Sequence, residues 1–206
     1  MKKFNKIIFI FISIFMMGTV LYLGYIENMK VDIAKNLLRL HIVGADDSEY
    51  SQNLKICVRD RILAEFSEVF SDCGSPEVSA ARARELKPRI EAAAADELKS
   101  RGCNDSVSAE VEKCRFPTKN YGEITLPGGV YTALNIYLGE AKGHNWWCVM
   151  YPPLCINGGN AVITEASKEK LKKCLSPEEY RLITSGKEPD VKIKFKLAEL
   201  LGRYFK

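Results

Sequence analysis

The sequence predicts an α+β protein, with an N-terminal membrane helix followed by one domain whose helices pack on a mostly antiparallel sheet. Three observations support this fold class. Residues 7–26 are apolar and uncharged, residues 54–70 carry apolar side chains at helical spacing, and residues 106–151 contain runs that alternate between apolar and polar. The predicted order of strand, two helices, three strands, helix and strand is typical of α+β domains.

The composition is that of a globular protein. Of the 206 residues, 47% are hydrophobic and 27% are charged, which excludes wholesale disorder. Removing Lys2, Lys3 and Lys6 from the 30 basic residues leaves 27 against 26 acidic ones, so the rest of the chain is nearly neutral. A neutral body gives no electrostatic basis for binding nucleic acid.

The N-terminus carries a membrane signal. An uncharged helix over residues 7–26 would be about 30 Å long, the thickness of the hydrocarbon core of a bilayer. Lysines precede it, so the positive-inside rule predicts a signal or anchor helix over residues 1–26 and an extracytoplasmic α+β domain over residues 27–206. A cleaved signal peptide and a buried core helix are the rival interpretations, although no A-x-A-like cleavage site is present.

Helix and turn signals define the first half of the domain. An apolar strand is predicted over residues 38–43, and a helix follows from the Asp46–Ser48 capping residues to near Gly74. Ser75 and Pro76 begin a second helix that ends at Arg101, with Gly102 as its C′ residue. Pro88 lies inside this second helix and is expected to kink or split it.

Strand signals dominate the second half. We predict an antiparallel meander of three strands over residues 106–115, 130–138 and 146–151. A capping box at Ser176 begins a further helix. Residues 191–197 alternate as a last strand, whose lysine face is either a solvated edge or faces the anionic membrane surface; these lysines are Lys192, Lys194 and Lys196.

Catalytic motifs are absent from the sequence. The two histidines are His41 and His144, and His41 in an apolar strand is interpreted as a hydrogen-bonded structural residue. Residues 139–156 concentrate aromatic and cysteine residues, and four hypotheses compete there. In the first hypothesis, Cys148 is a nucleophile with His144 or His41 as its base, and in the second, His144, Cys148 and Cys155 bind zinc. In the third, Cys148 and Cys155 form a disulfide, and in the fourth, the segment only fills the core. The spacing matches no recurrent zinc knuckle, and no metal or cofactor is predicted.

Two adjacent tryptophans provide a candidate binding surface. Neighbouring strand residues face opposite sides of a sheet, so one of Trp146 and Trp147 packs in the core while the other is presented outward. An exposed tryptophan is a candidate interface anchor. We therefore predict a partner-binding patch at His144, Asn145, Trp146 and Trp147, next to a flexible Gly143.

Long motifs resemble those of a known family. RLHIVGADDSEYSQNLKICVRDRIL (39–63), FPTKNYGEITLPGGVYTALNIYLGEAKGHNWWCVMYPPLCI (116–156) and VKIKFKLAELL (191–201) are similar to segments of the stage II sporulation protein R family. The order of these segments and the N-terminal hydrophobic helix agree with the family as well.

This resemblance implies a signalling protein and no enzyme, with no catalytic residues to carry over. The family's proteins are exported from the forespore, membrane-anchored or secreted, into the space facing the mother cell. There they activate a membrane-embedded aspartic-type protease, stage II sporulation protein GA, which processes pro-sigma E. The implied partners are that protease and the cytoplasmic membrane, reached through residues 7–26. The alternatives are an extracytoplasmic cysteine hydrolase acting on cell-envelope material through Cys148 or Cys155, and a structural envelope module.

Overall fold

The computed structural model describes residues 2–154 and 165–186, which form five helices and six strands. The helices are α1 (Lys2–Lys35), α2 (Glu49–Ser71), α3 (Pro76–Ser100), α4 (Glu165–Cys174) and α5 (Pro177–Thr184). The strands are β1 (Leu38–Val43), β2 (Val107–Phe116), β3 (Lys119–Tyr121), β4 (Ile124–Leu126), β5 (Gly129–Leu138) and β6 (Asn145–Tyr151). The predicted α+β class, with an N-terminal apolar helix followed by helices packed on a mostly antiparallel sheet, is confirmed.

Helix α1 has an apolar part exposed to the surroundings and a C-terminal part inside the domain. Phe9 and Phe15 are 70% and 76% exposed, whereas Ile33 and Ala34 in the last turns are buried in the core. Of the helices in the described residues, only α1 is long and apolar enough to cross a membrane. These properties fit a membrane anchor or a signal segment. The helix continues past Ile26 without a break, so its last turns belong to the folded domain.

The four-stranded sheet has the order β2-β5-β1-β6. Strand β1 is parallel to β5 and antiparallel to β6, and β2 is antiparallel to β5. The predicted meander is therefore wrong in one respect, because β1 lies between the second and third of its strands. All six β1 residues are buried, which suits a central strand, whereas the alternating β2 sequence suits an edge.

The two faces of the sheet have different coverings. Trp146, next to Ile42, packs against Arg59 of α2, so this face is the one covered by α2 and α3. Arg39 and His41 point to the opposite side, which we call the second face. The β3–β4 hairpin packs on one end of the second face, where the Tyr121 hydroxyl contacts Arg39.

Local helix signals predicted the helix ends well. Ser48 and Ser75 cap α2 and α3, and the Ser176 capping box begins α5. Gly102 follows α3 with φ of 77°, as expected of a C′ glycine. Pro88 does not split α3; it lies on the exposed side, where water can satisfy the carbonyl group that loses its helical bond. Helix α4 and the β3–β4 hairpin were not predicted, and the predicted strand over 191–197 lies outside the described residues.

Candidate functional site

The two tryptophans lie on opposite faces of β6, as predicted. Trp146 is next to Ile42 on the helix-covered face, and its indole lies 4.3 Å from the Arg59 guanidinium carbon. Trp147 is next to His41 on the second face and stacks on the imidazole, with ring centroids 4.0 Å apart and an interplanar angle of 6°. Both indoles are half-buried and pack against the core.

His41 connects the strands of the second face. Its side chain is buried, with Nδ1 2.8 Å from Oδ1 of Asn135 on β5 and Nε2 2.9 Å from Oδ1 of Asn145 on β6. Tyr137 makes an edge contact with the ring, at 6.4 Å between centroids. The interpretation of His41 as a hydrogen-bonded structural histidine is confirmed, and the histidine also holds the stacked Trp147 in place.

A chain of hydrogen bonds links His41 Nδ1 through Asn135 to Glu112. The Asn135 amide nitrogen donates a hydrogen bond of 3.3 Å to Glu112 Oε1, so the Asn135 amide oxygen faces the imidazole. An oxygen acceptor at 2.8 Å requires that His41 Nδ1 carry the hydrogen. Glu112 Oε1 also accepts a hydrogen bond of 2.9 Å from the Tyr137 hydroxyl.

The hydrogen bond between His41 Nδ1 and Asn135 bears on thiol chemistry at Cys114. The Cys114 sulfur lies 3.8 Å from His41 Nδ1, but that nitrogen already donates to Asn135 and cannot act as a base toward the thiol. Burial, followed by the charge of Glu112, raises the pKa of the Cys114 thiol. An activated nucleophile needs the opposite shift, so the arrangement is unsuited to cysteine hydrolysis.

The other predicted thiol–imidazole pairs are not assembled in the described residues. Cys148 is next to Leu40 on the helix-covered face, across the sheet from His41. His144 is exposed, and its ring and backbone nitrogens both bond the Asp47 carboxylate. Within residues 2–154 and 165–186, no group of three or more His, Cys, Asp or Glu side chains could hold a metal ion.

The predicted Cys148–Cys155 disulfide remains a prediction. Cys148 is disulfide-bonded in the structure, while Cys155 lies outside the described residues. The free thiols among the described residues are those of Cys57, Cys73, Cys103, Cys114 and Cys174.

The loop before β6 is packed tightly, and the expectation of a flexible Gly143 is wrong. A Cβ atom at Gly143 would lie 2.1 Å from the Asp46 carbonyl oxygen, and the Gly143 amide donates to the Gly44 carbonyl over 2.9 Å. The Lys55 ammonium donates to the His144 carbonyl over 2.7 Å. The start of β6 is thus held against the loop that leads into α2.

Arg39 was missed as a site residue, although a charged residue inside the apolar run LRLHIV is an unusual signal. Its guanidinium is fully buried over the rings of Phe116, Tyr131 and Tyr121, at 4.3, 4.9 and 5.8 Å. Nε donates a hydrogen bond of 2.6 Å to the Cys148 carbonyl, and Nη2 donates one of 2.7 Å to the Tyr121 hydroxyl. Burial lowers the pKa of Arg39, while the tyrosine hydroxyls oppose this effect. Arg39 therefore joins the β3–β4 hairpin to β6.

The residues around His41 form one connected surface. We call it the His41 network, and it consists of His41, Glu112, Asn135, Tyr137, Asn145 and Trp147. Glu112 and Asn145 are exposed, and Tyr137 and Trp147 are half-buried. Its side chains come from β1, β2, β5 and β6, so the sheet fixes their positions. Such a rigid polar and aromatic surface is suited to binding another molecule. Of the predicted patch, the structure places Asn145 and Trp147 in this network and places Trp146 on the other face.

Comparison with known proteins identifies relatives of the chain. A family model described as stage II sporulation protein R matches residues 34–161. Stage II sporulation protein R of Bacillus subtilis (strain 168) is 35% identical over 192 residues, which cover 87% of this chain and 86% of that protein. No solved structure matches at a significant level.

Proposed function

Because the chain belongs to the stage II sporulation protein R family, we propose that it is an exported signal that activates a membrane-embedded aspartic-type protease. On this proposal the protease is stage II sporulation protein GA, and its activation leads to processing of pro-sigma E in the mother cell. The observation that carries the proposal is the His41 network, an ordered surface on the sheet face opposite α2 and α3. A protein signal needs a binding surface of this kind, whereas a hydrolase needs an activated nucleophile.

Helix α1 supports export of the domain. Its apolar part is exposed in the described structure, and the residues before it include Lys2, Lys3 and Lys6. On the positive-inside rule the chain enters the membrane from the forespore cytoplasm and places residues 27–206 in the space facing the mother cell. The same outcome follows for an uncleaved anchor and for a cleaved signal peptide.

Co-expression tests the proposal. The chain, the protease and pro-sigma E are produced together in a host that does not sporulate, and cleavage of pro-sigma E is followed by immunoblot. We expect cleavage only when the chain is present and carries residues 1–26, because the domain must reach the outside of the membrane. Cleavage that is independent of the chain, or no cleavage with an exported and folded chain, would contradict the proposal.

A thiol control tests whether cysteine chemistry at Cys114, a different thiol from the Cys148 and Cys155 of the hydrolase alternative, contributes to cleavage. Cys114 has the sulfur closest to His41 among the contacts described. Cys114→Ser is expected to leave pro-sigma E cleavage unchanged, since a binding surface does not require the thiol. Loss of cleavage with a folded Cys114→Ser protein would favour thiol chemistry.

A further inference from the structure

Glu112 presents a carboxylate whose orientation is fixed by the sheet. The side chain is exposed, yet its Oε1 accepts hydrogen bonds from the Tyr137 hydroxyl at 2.9 Å and from the Asn135 amide at 3.3 Å. Burial, together with the hydrogen bond and charge of Glu112, raises the pKa of Tyr137 to about 12. The tyrosine therefore stays protonated and donates to the carboxylate at any physiological pH.

No cation compensates this carboxylate within the described residues. Glu110, two positions earlier on the same strand face, is paired with Lys87 at 2.5 Å. Glu112 takes part in none of the ion pairs described, and its neighbours Lys113 and Arg115 point to the opposite side of the strand. Glu112 is thus a preorganised negative charge that lacks a counterion in the described structure.

Aromatic rings continue the surface from this charge. Tyr137, whose hydroxyl bonds Glu112, makes an edge contact with the His41 ring, with 6.4 Å between the ring centroids. The Trp147 indole in turn stacks on the His41 ring, with 4.0 Å between the centroids. A carboxylate next to aromatic rings is complementary to a guanidinium or an ammonium group, which can pair with the carboxylate and lie over a ring face. The surface does not suit an anionic partner.

We propose that Glu112 and Tyr137 form the docking site for an arginine or lysine side chain presented by an extracytoplasmic segment of the partner protease, and that neighbouring residues of the same segment cross the sheet to cover Trp147 on β6. The identity of the partner rests on the proposed function above. The chemistry of the contact rests on the charge of Glu112 and on the rings beside it. Docking would give Glu112 a counterion that the described residues do not provide, and the rest of the segment would cover the half-buried Trp147 indole.

Binding measurements with matched carboxylate variants test this docking site. The full chain and the purified protease are reconstituted in separate nanodiscs, and the dissociation constant is measured at several salt concentrations. Loss of a charge pair at an interface weakens binding by about tenfold or more, so we expect this for Glu112→Gln and a larger loss for Glu112→Lys. Glu110→Gln is the control, because it removes a neighbouring carboxylate that Lys87 already compensates; its affinity should stay within about twofold.

Charge rescue makes the test independent of folding. Each extracytoplasmic lysine and arginine of the protease is replaced in turn by glutamate, and one substitution should weaken binding of the original chain and restore binding of Glu112→Lys. If the original chain binds and Glu112→Gln binds equally well, or if no substitution gives rescue, the docking site is wrong and the signalling proposal stands. If the original chain does not bind the protease at all, the signalling proposal itself fails. A dimer of the chain that Glu112→Gln abolishes would assign the surface to a second copy and overturn the docking site.

Discussion

Substituting the two tryptophans separately should divide stability from recognition. Trp146→Ala removes the ring that packs on Arg59, whose side chain is 4% exposed and forms an ion pair with the adjacent Asp60. Truncating a buried tryptophan destabilises by 3–5 kcal/mol, and the half-buried position of Trp146 favours about 3 kcal/mol. In a domain of this size, that corresponds to a decrease in Tm of about 6–12 °C.

Trp147→Ala removes the stack on His41 and an edge contact with Phe116, at 4.0 and 4.5 Å. Each aromatic pair contributes about 0.5–1.5 kcal/mol beyond buried area, so we expect a loss of roughly 2 kcal/mol and a folded protein. A tryptophan that anchors an interface contributes about 2 kcal/mol or more to binding, which is some thirtyfold in affinity. Trp147→Ala should therefore reduce pro-sigma E cleavage strongly while the protein is folded.

The assay compares both variants at a temperature where circular dichroism shows each to be folded. Cleavage of pro-sigma E, normalised to folded protein, should be near normal for Trp146→Ala and low for Trp147→Ala. Trp147→Phe is the matched control, because a phenyl ring keeps part of the stack on His41. Normal cleavage by Trp147→Ala, or loss of cleavage by folded Trp146→Ala, would refute the assignment of recognition to the second face.

Three further predictions test the rest of the chain. A reporter active only in the cytoplasm, fused after Lys206, should be silent, and strong activity would contradict export. Non-reducing mass mapping of exported protein should give a Cys148–Cys155 cross-linked peptide, and alkylation of both thiols would exclude the pair. Gly143→Ala should lower Tm by several degrees, because its Cβ would overlap the Asp46 carbonyl at 2.1 Å; unchanged thermal melting would contradict the tight packing of this loop.

The features that sequence predicted correctly are those encoded by neighbouring residues. Serine caps at Ser48, Ser75 and Ser176 set the starts of three helices, because a cap needs only an oxygen and the amides of the next turn. The opposite orientation of Trp146 and Trp147 follows from the two-residue period of a strand. These signals act over a few residues and do not depend on the rest of the fold.

The features that were missed depend on contacts between distant residues. The insertion of β1 between β5 and β6 joins segments more than 90 residues apart, and alternation within a strand does not identify its neighbour. Asn135 entered the site because β5 places it next to His41, 94 positions earlier in the sequence. Glu112 entered it because β2 places its carboxylate within hydrogen-bond reach of Asn135. Their sequence context is that of ordinary strand residues, so no local pattern distinguished them.

Strand β1 explains why a charged residue and a histidine occur within an otherwise apolar segment. Its leucine and isoleucine side chains face α2 and α3, where apolar contact is sufficient to hold the helices. Arg39 and His41 face the other side, where the neighbouring groups are backbone carbonyls, hydroxyls and amides. Polar side chains buried on that side have fixed partners and directions, which apolar contacts do not impose. The alternation of β1 therefore assigns folding stability to one face and the fixed geometry of the His41 network to the other.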